Sequence, residues 1–427
     1  MRRVLRNPDF RRLFLARLVT NAGDSLYYVA ATWLVYALTG STFYTGVATF
    51  LVLAPAGLQF LFGPLVDRLP LRSVLVGTQV TQMVLVLVVP LAYYLDALTV
   101  WVLLVVMPLL SLLNQPAYPA QSAAIPRIVD REELVAANSV FSVAYQGVDA
   151  AFNALGGLLV ALVGAVTLFL VDSVTFAVAA LLLLGVTIPV ARAAERADES
   201  AEETPAGAVA ADGGESGPDE PESYLDSLRA GVSLVRGTVV SRAMAATVVA
   251  NASIGGVLAV LPAYGDALGG EVAYGLAMGA IGAGLLVGAL VASAFDGRPL
   301  GWLLLVGSAF GAVVWAVAVG LGWLPLTVPL LGLAFVPVGV TNVLFVSMVQ
   351  ALVPEASMGR VTALLGSVSA GATPFGGLLG GALATVTSPT LVMFGGAVGF
   401  AFIAAWVLAV PELRTLPRIA EIETLRL

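Results

Sequence analysis

Two aspartates lie in the middle of long apolar stretches of this sequence, where a charged group is costly. Asp24 falls midway along the stretch 11–38, and Asp149 falls midway along the stretch 137–163. A charge at the centre of a membrane-spanning helix costs about 2.5–3.5 kcal/mol, and carboxylates in such places commonly relay ions. Desolvation favours the neutral carboxyl, so each group could take up and release a proton. Asp24 and Asp149 are therefore candidate carriers of a coupling proton.

A structural role is the alternative for these aspartates. Arg17 lies two helical turns before Asp24, on nearly the same face of a helix, where the two charges could pair. Asp172 falls in the outer third of the stretch 166–189, where it could cap polar groups near the membrane surface. The residue types alone leave the ion-carrying role and the structural role open.

Uncharged polar side chains occur at similar depth in the apolar stretches. They could line a central cavity and bind substrate, or they could form hydrogen bonds between helices. The second half of the chain has no acidic residue at this depth, so binding there would use apolar surface or amides. Such a cavity suits apolar or amphipathic molecules, including cationic ones. The candidate cavity residues are Asn21, Tyr27, Tyr28, Gln146, Asn153, Asn251 and Asn342.

Composition places the whole chain in a membrane. Hydrophobic residues make up 59% of the 427 residues and charged residues only 11%, whereas soluble proteins carry about 25%. The mean hydropathy is +0.97. A span needs about 20 apolar residues, and this rule predicts twelve helices. Their expected positions are 11–38, 43–66, 72–95, 98–121, 137–163, 166–189, 243–265, 272–296, 301–320, 325–350, 358–384 and 388–410.

The missing residue types exclude several kinds of chemistry. The chain has no cysteine and no histidine, so it lacks thiolate nucleophiles, the usual proton shuttle and the commonest metal ligands. All 20 basic residues are arginine, and a nucleotide-binding P-loop needs a lysine. We therefore expect a protein that is not an enzyme and that has no cofactor, metal or nucleic-acid partner. Separately, we expect a monomer. Basic residues that are all arginine, together with abundant acids, also favour a salt-loving or GC-rich microbe as the source.

Arginine sets the expected orientation. Turns predicted near Gly40, Asp96, Ala165, Glu271, Trp323 and Ser388 contain no arginine. Every arginine in a predicted loop falls on the other side of the membrane, and both termini add more. The positive-inside rule predicts that this side is cytoplasmic. We expect a multi-pass protein of the plasma membrane with both termini in the cytoplasm.

Residues 191–242 divide the chain into two halves, 1–190 and 243–427. The segment is acidic and rich in Ala, Gly, Ser and Pro, so it cannot bury enough apolar surface to fold alone. We interpret it as a cytoplasmic linker. Its last part, 224–237, has apolar residues at helical spacing and predicts a short interfacial helix.

The ten residues 63–72, GPLVDRLPLR, lie between two predicted spans. Gly63, Asp67, Arg68 and Arg72 match the loop motif between helices 2 and 3 of the major facilitator superfamily. A weaker copy, with Asp296 and Arg298, lies at the equivalent turn of the second half. The resemblance implies an all-α membrane fold in which two six-helix bundles rock about a central cavity. It implies that these loops latch the cytoplasmic side, with Arg127 and Arg360 as candidate partners.

Glycine pairs in the predicted helices 5, 8 and 11 could mark the moving surfaces between those bundles. Gly156 and Gly157, Gly275 and Gly279, and the pair Gly376 and Gly380 are examples. Small residues at this spacing let helix backbones approach closely. Tight packing within a bundle is the alternative.

A second resemblance narrows the family. The segments 7–24, 114–139 and 168–176 are similar to the corresponding helices of macrolide and siderophore (enterobactin) exporters. This resemblance implies proton-coupled export of small amphipathic molecules. Import or uniport of a metabolite, sodium in place of the proton, and a membrane sensor that binds without transport remain the alternatives.

Overall fold

The computed structural model describes residues 4–62, 66, 69–189, 237–352, 355–418 and 421. These residues form twelve principal helices and no strand. The first six are α1 (Pro8–Thr39), α2 (Thr42–Leu53, continued by a 3-10 helix, Ala54–Leu61), α3 (Leu71–Tyr94), α4 (Val100–Ile128), α5 (Leu134–Val163) and α6 (Ala165–Leu184). The second six are α7 (Val239–Gly269), α8 (Glu271–Phe295), α9 (Leu300–Leu321), α10 (Leu324–Leu352), α11 (Glu355–Val386) and α12 (Pro389–Ala409), followed by the short α13 (Pro411–Arg414).

Eight of the described helices are long and apolar enough to cross a membrane by length and composition: α3, α4, α6 to α10 and α12. The other four, α1, α2, α5 and α11, pack among them and complete two sets of six. Large apolar side chains such as Leu181 and Leu290 remain exposed on the helix surfaces, as expected where lipid is the solvent. The predicted all-α membrane fold is confirmed.

Prolines explain where helices depart from their predicted bounds. Proline has no N–H to donate and its ring clashes with the carbonyl four residues earlier. Pro90 thus coincides with a break in α3 at Leu87, and α2 changes to 3-10 geometry around Pro55. Pro116 starts a second segment of α4, where the missing N–H is no loss, so α4 continues to Ile128.

The linker is described only at its edge. Helix α7 begins at Val239, inside the predicted linker 191–242, because apolar residues at helical spacing start there. Residues 190–236 lie outside the described residues, and so does the predicted interfacial helix except for Gly237.

Polar contacts tie the helix ends together at the face that carries both described chain ends, which we call the terminal face. The Asn7 amide caps α1 and donates to the carbonyl of Ile128 at 2.8 Å. Arg12 donates to the Gly185 carbonyl at 2.5 Å, and Arg72 donates to the Leu184 carbonyl, so two cations cap the negative end of α6. The turns near Gly40, Gly164, Gly270 and Gly322 form the opposite face.

An ion pair performs the equivalent task in the second half. Arg242, in the first turn of α7, pairs with Glu412 of α13. A backbone hydrogen bond and the Arg242 side chain lower the pKa of the Glu412 carboxyl. The Leu300 N–H donates to the Pro417 carbonyl at 3.1 Å, which holds the segment after α13 against α9.

Among the described residues, the buried core that joins the two halves lies on one side of the molecule. One cluster, which includes Val29, Phe169, Leu261 and Tyr274, contains buried residues of both halves. The other two clusters lie near the terminal face, one made of first-half residues and one of second-half residues. The halves therefore share a core toward the opposite face and have separate cores toward the terminal face.

Backbone contacts at glycines hold the halves together toward the opposite face, and we call this set of contacts the seam. A methyl group placed on Gly157 of α5 would come within 1.9 Å of the Gly275 carbonyl of α8. One placed on Gly46 of α2 would come within 2.7 Å of the Gly377 carbonyl of α11. Seam hydrogen bonds run from Thr45 to the Ala259 carbonyl at 2.5 Å, from Thr42 to the Gly381 carbonyl at 3.1 Å and from Tyr274 to the Val29 carbonyl at 3.0 Å.

Not every glycine pair belongs to the seam. Gly284 and Gly288 of α8 pack on Gly332 and Val336 of α10, within the second half. Gly376 packs on Ala252 of α7, also within the second half. Glycines therefore make close contacts both between the halves and inside the second half. The predicted movement at the contacts between the halves stays a prediction.

We expect the close packing of α5 on α8 in the seam to require glycine at position 157. Gly157→Ala is expected to lower the midpoint of thermal unfolding by several degrees, because overpacking costs about 1–3 kcal/mol. The purified protein can be followed by intrinsic fluorescence during heating. Gly147→Ala is the matched control on the same helix, since a methyl group there meets nothing within 4 Å. Equal midpoints for the two variants would contradict the assignment of the seam.

Candidate functional site

Asp24 and Asp172 line the same small cavity inside the first half. The cavity has a volume of about 100 Å³ and lies among α1, α3, α4 and α6. Its lining residues are Asp24, Tyr27, Tyr28, Val52, Gln82, Leu110, Ser111, Asn114, Asp172 and Phe176. Two carboxyl groups, two amides and three hydroxyls thus surround a space large enough for only a few water-sized groups.

The two carboxyl groups have different surroundings. Asp24 is partly buried, and its Oδ2 accepts a hydrogen bond from Nδ2 of Asn114 at 3.0 Å. Asp172 is 0% exposed, and its Oδ1 accepts a hydrogen bond from the Thr175 hydroxyl at 3.0 Å. The Oδ2 of Asp172 has no hydrogen-bond partner among the described residues. A buried carboxylate oxygen without a donor is unstable as an anion, so this site favours a bound positive charge or a proton.

Gly23 makes room for Asp172 beside Asp24. A methyl group on Gly23 would lie 2.3 Å from Oδ1 of Asp172 and 2.2 Å from Oγ1 of Thr175. Only glycine therefore lets α6 approach α1 with these side chains between them. The distance of Asp172 from the helix end predicted a position near the membrane surface, where a capping role was the alternative to carrying an ion. The Gly-Asp pair at 23–24, and Thr175 one turn after Asp172, are the signals that could have found it.

Five polar atoms at this cavity, Oδ2 of Asp172 among them, lack hydrogen-bond partners in the described part of the chain. They are the hydroxyls of Tyr27 and Tyr28, Oε1 of Gln82, Oδ1 of Asn114 and Oδ2 of Asp172. All of them can accept a hydrogen bond. An oxygen-rich space of this kind attracts donors or cations, which agrees with a carrier of positive charge.

Arg17 lies closer to the terminal face and has partners on α4 and α5. It is 3% exposed, and its Nε donates to Oε1 of Gln121 at 2.9 Å and to the Tyr145 hydroxyl at 3.1 Å. Its guanidinium also lies 5.1 Å from the centre of the Tyr118 ring, a cation–π distance. Asn21 lies nearby, with Nδ2 at 3.5 Å from the Tyr145 carbonyl oxygen.

A second and larger cavity lies in the other half. Its volume is about 470 Å³, and α7, α9, α10 and α12 supply most of its wall. Most lining side chains are apolar, and none is charged. Asn251 and Asn342, both predicted cavity residues, line it. The predicted cavity residues are therefore divided, with Tyr27 and Tyr28 at the small cavity of the first half.

The remaining predicted site residues fall at the terminal face or outside the description. Asp296, Arg298 and Arg127 are exposed, and the Arg298 guanidinium lies 6.0 Å from the centre of the Trp302 ring. Arg72 caps α6, as described above, and so makes its contact within the first half. Gly63, Asp67, Arg68 and the side chains of Gln146, Asp149, Asn153 and Arg360 lie outside the described residues. Within the described residues, no group of three or more acidic side chains could hold a metal ion.

Known proteins with similar sequences or structures identify the family and the fold of this chain. The family model described as Major Facilitator Superfamily matches residues 13–376. An uncharacterized MFS-type transporter, YvqJ of Bacillus subtilis (strain 168), is 28% identical over 177 residues, which span 41% of this chain and 40% of that protein. The chain thus aligns with less than half the length of this relative.

Solved structures share the architecture over nearly the whole chain. A nucleoside transporter, NupG, has a TM-score of 0.64 at 13% identity and covers 94% of this chain and 99% of its own. A bacterial homologue of the human lysosomal transporter Spinster, inward-facing and unoccupied, has a TM-score of 0.62 at 13% identity, with coverage of 95% and 97%. A POT peptide transporter in complex with sulfate has a TM-score of 0.63 at 14% identity, with coverage of 96% and 95%. At these identities the likeness concerns the fold alone.

We expect Gly23 to be essential for the position of the Asp172 side chain between α6 and α1. Gly23→Ala is expected to push α6 away from α1 and to destabilise the protein by about 1–3 kcal/mol. Thermal unfolding of the purified protein measures this loss. Gly77→Ala in α3 is the control, because a methyl group there meets nothing within 4 Å. A Gly23→Ala variant as stable as the control would mean that the two helices are less tightly apposed than described.

Proposed function

Because this chain belongs to the Major Facilitator Superfamily, we propose that it exports small amphipathic molecules across the plasma membrane by alternating access, driven by a proton gradient. The shared cavity of Asp24 and Asp172 is the observation that carries the proposal. The carboxyl groups take the role of proton carrier, and the second half contributes the apolar surface.

The proximity of the two carboxyl groups explains how a proton would be held. Two anions in one small, poorly solvated cavity repel each other strongly, and the usual result is that the pair retains a proton. Tyr27 and Tyr28 are the other titratable groups that line the space, and Arg17 lies toward the terminal face. Release of the proton would require water to reach the cavity in another arrangement of the helices.

The uneven joining of the halves supports alternating access. One buried core crosses between the halves toward the opposite face, whereas the cores near the terminal face are separate. This pattern fits one of two states, closed at the opposite face. The second state would break the seam and bring the terminal-face ends together, where the loop motif with Asp67 and its copy at Asp296 would act as the latch.

Orientation and direction rest on the arginines and on the resemblance to exporters. Arg12, Arg72 and Arg242 all contact helix ends at the terminal face. The positive-inside rule favours this face as the cytoplasmic one, so the proposal has both termini in the cytoplasm and the seam on the outer side. The segments 7–24, 114–139 and 168–176 favour export over import.

Loss of the Asp24 carboxyl should uncouple transport from the gradient. Asp24→Asn is expected to abolish uphill flux in proteoliposomes with an imposed pH gradient, since asparagine cannot exchange a proton. Asp172→Asn should reduce the same flux at least tenfold, because it removes the second carboxyl of the pair. Asp96→Asn is the matched control, because Asp96 is exposed in a turn at the opposite face and asparagine tolerates its positive φ of 53°.

The same measurement separates the alternatives. Unchanged uphill flux in Asp24→Asn would remove this residue from the coupling pathway. Flux that follows a sodium gradient and ignores pH would replace the proton with sodium. Saturable binding without any flux would indicate a sensor in place of a transporter. The substrate can be found with a deletion strain screened against toxic compounds, where hypersensitivity gives both the compound and the direction.

A further inference from the structure

We propose that three side chains around the turn between α7 and α8 couple the seam to the carboxyl pair of Asp24 and Asp172. We call these side chains, Asp266, Glu271 and Tyr274, the clamp. Each contacts one of the two first-half helices that carry the pair, α1 or α6. This inference rests on the proposed function, and it names the residues through which movement of the second half reaches the site of the proton.

Tyr274 of α8 makes the most deeply buried contact of the clamp. Its side chain is 2% exposed, and its hydroxyl donates to the Val29 carbonyl of α1 at 3.0 Å. Its ring stacks on that of Trp33, also of α1, with the ring centres 5.2 Å apart and the ring planes at 19°. Because the ring and the hydroxyl are both held, a displacement of α8 has to move α1 or break these contacts.

The two acids of the clamp contact the ends of α1 and α6 at the opposite face. Glu271, the first residue of α8, accepts a hydrogen bond from the backbone N–H of Ala165. Ala165 begins α6, so this N–H has no partner inside its own helix and lies at the positive end of the helix dipole. Asp266 of α7 accepts a hydrogen bond from the Tyr36 hydroxyl of α1 at 3.4 Å. The second half therefore supplies partners to both helices.

The contact points lie close to the carboxyl pair along the same two helices. Val29 comes five residues after Asp24 on α1, about 7.5 Å at about 1.5 Å per residue. Ala165 comes seven residues before Asp172 on α6, about 10.5 Å by the same rise. Both carboxyl groups are thus within three helical turns of a contact with the second half.

Between these levels α1 and α6 pack tightly on each other. The rings of Tyr27 and Phe169 form an edge-to-face pair with centres 5.6 Å apart. A methyl group on Gly23 would meet Asp172, so the helices touch at that level as well. Ala165, Phe169 and Asp172 follow at intervals of four and three residues and so share one face of α6. A displacement of the opposite-face end of either helix is therefore transmitted to the carboxyl groups.

Separation of the halves at the opposite face has to release the clamp, because the clamp residues belong to the second half and their partners to the first. Release frees the ends of α1 and α6 and gives water a way to the space between Asp24 and Asp172. Proton exchange with the opposite side is thereby tied to the state of the seam.

The charged and titratable groups near the two sites are few. Tyr27 and Tyr28 line the space of the carboxyl pair, and Arg17 lies toward the terminal face. At the clamp, Tyr36 is the titratable partner from α1. In the part of the chain that the structure describes, the opposite-face turns contain no basic residue. The clamp is therefore held by hydrogen bonds and ring stacking and contains no ion pair.

A double-mutant cycle tests the transmission. The chain has no cysteine, so Thr99→Cys and Thr387→Cys place spin labels at exposed positions of the opposite face, one in each half. Spin–spin distances in the full-length protein in lipid nanodiscs give the ratio of molecules with the seam closed and open. Asp172→Asn imitates a carboxyl that is always protonated. We expect it to shift this ratio by about fivefold or more, the lower end of typical coupling between two sites.

The size of that shift in other backgrounds identifies the clamp. Tyr274→Phe keeps the ring but removes the donor to Val29, so in this background the shift should fall by about threefold or more. Glu271→Ala should reduce it likewise. Tyr264→Phe is the matched control, because Tyr264 is 3% exposed and its hydroxyl donates to the Val319 carbonyl inside the second half. A purely structural role of Tyr274 would change the ratio itself but not its response to Asp172→Asn.

The outcomes that overturn the inference differ from those that overturn the proposed function. Equal shifts in the Tyr274→Phe, Glu271→Ala and control backgrounds would refute the clamp. No shift with Asp172→Asn in the labelled protein would refute it as well. Either result leaves the proposed function intact if uphill flux still follows the pH gradient. A shift that depends on the clamp, together with flux that ignores pH, would do the reverse. Glu271→Ala keeps the test decisive if Tyr274→Phe does not fold.

Discussion

A carboxylate inside the membrane must either have polar partners or become protonated, and this constraint governs the packing of the first half of the molecule. Helices α1, α3, α4 and α6 each contribute polar groups to one small space around Asp24 and Asp172. Exposing these polar groups to lipid would cost more free energy than burying them together in this cavity. The apolar faces of the same helices are consequently directed outward, and the packing of the first half follows from the position of its acids.

The two halves share one architecture, but the cavities inside them are lined by different kinds of side chain. The first half concentrates acids, amides and hydroxyls in a space of about 100 Å³, and the second half surrounds about 470 Å³ with mostly apolar side chains, two amides and four hydroxyls. Because the two cavities are separate, communication between them has to pass through the contacts between the halves. The hydrogen bond from Tyr274 to the Val29 carbonyl of α1 is one such contact, since Val29 lies little more than one turn beyond Asp24.

The sequence was sufficient to predict the fold class and the number of helices, because apolar length is a local property of the chain. The isolated charge of Asp24 is local as well, and its role as a proton carrier stays a prediction. The sequence was insufficient for Asp172, whose distance from the helix end suggested a surface position. Its burial depends on the contact with Gly23 on another helix. The division of the predicted cavity residues between two spaces was equally out of reach, since it depends on how α7 and α10 pack against α9 and α12. Arg72 matched a loop motif, yet its contact in this state is the end of α6.

At two points in the seam between the halves, backbone lies directly against backbone, with Gly157 against Gly275 and Gly46 against Gly377. Immobilising a long side chain costs up to about 2 kcal/mol in rotamer entropy, whereas glycine has none to lose. At these two contacts closure orders no side chain of the glycines, whereas elsewhere in the seam the side chains of Thr42, Thr45 and Tyr274 are held by hydrogen bonds. If alternating access brings in a second arrangement close in free energy to this one, a ligand that prefers one of them by only a few kcal/mol suffices to shift their populations.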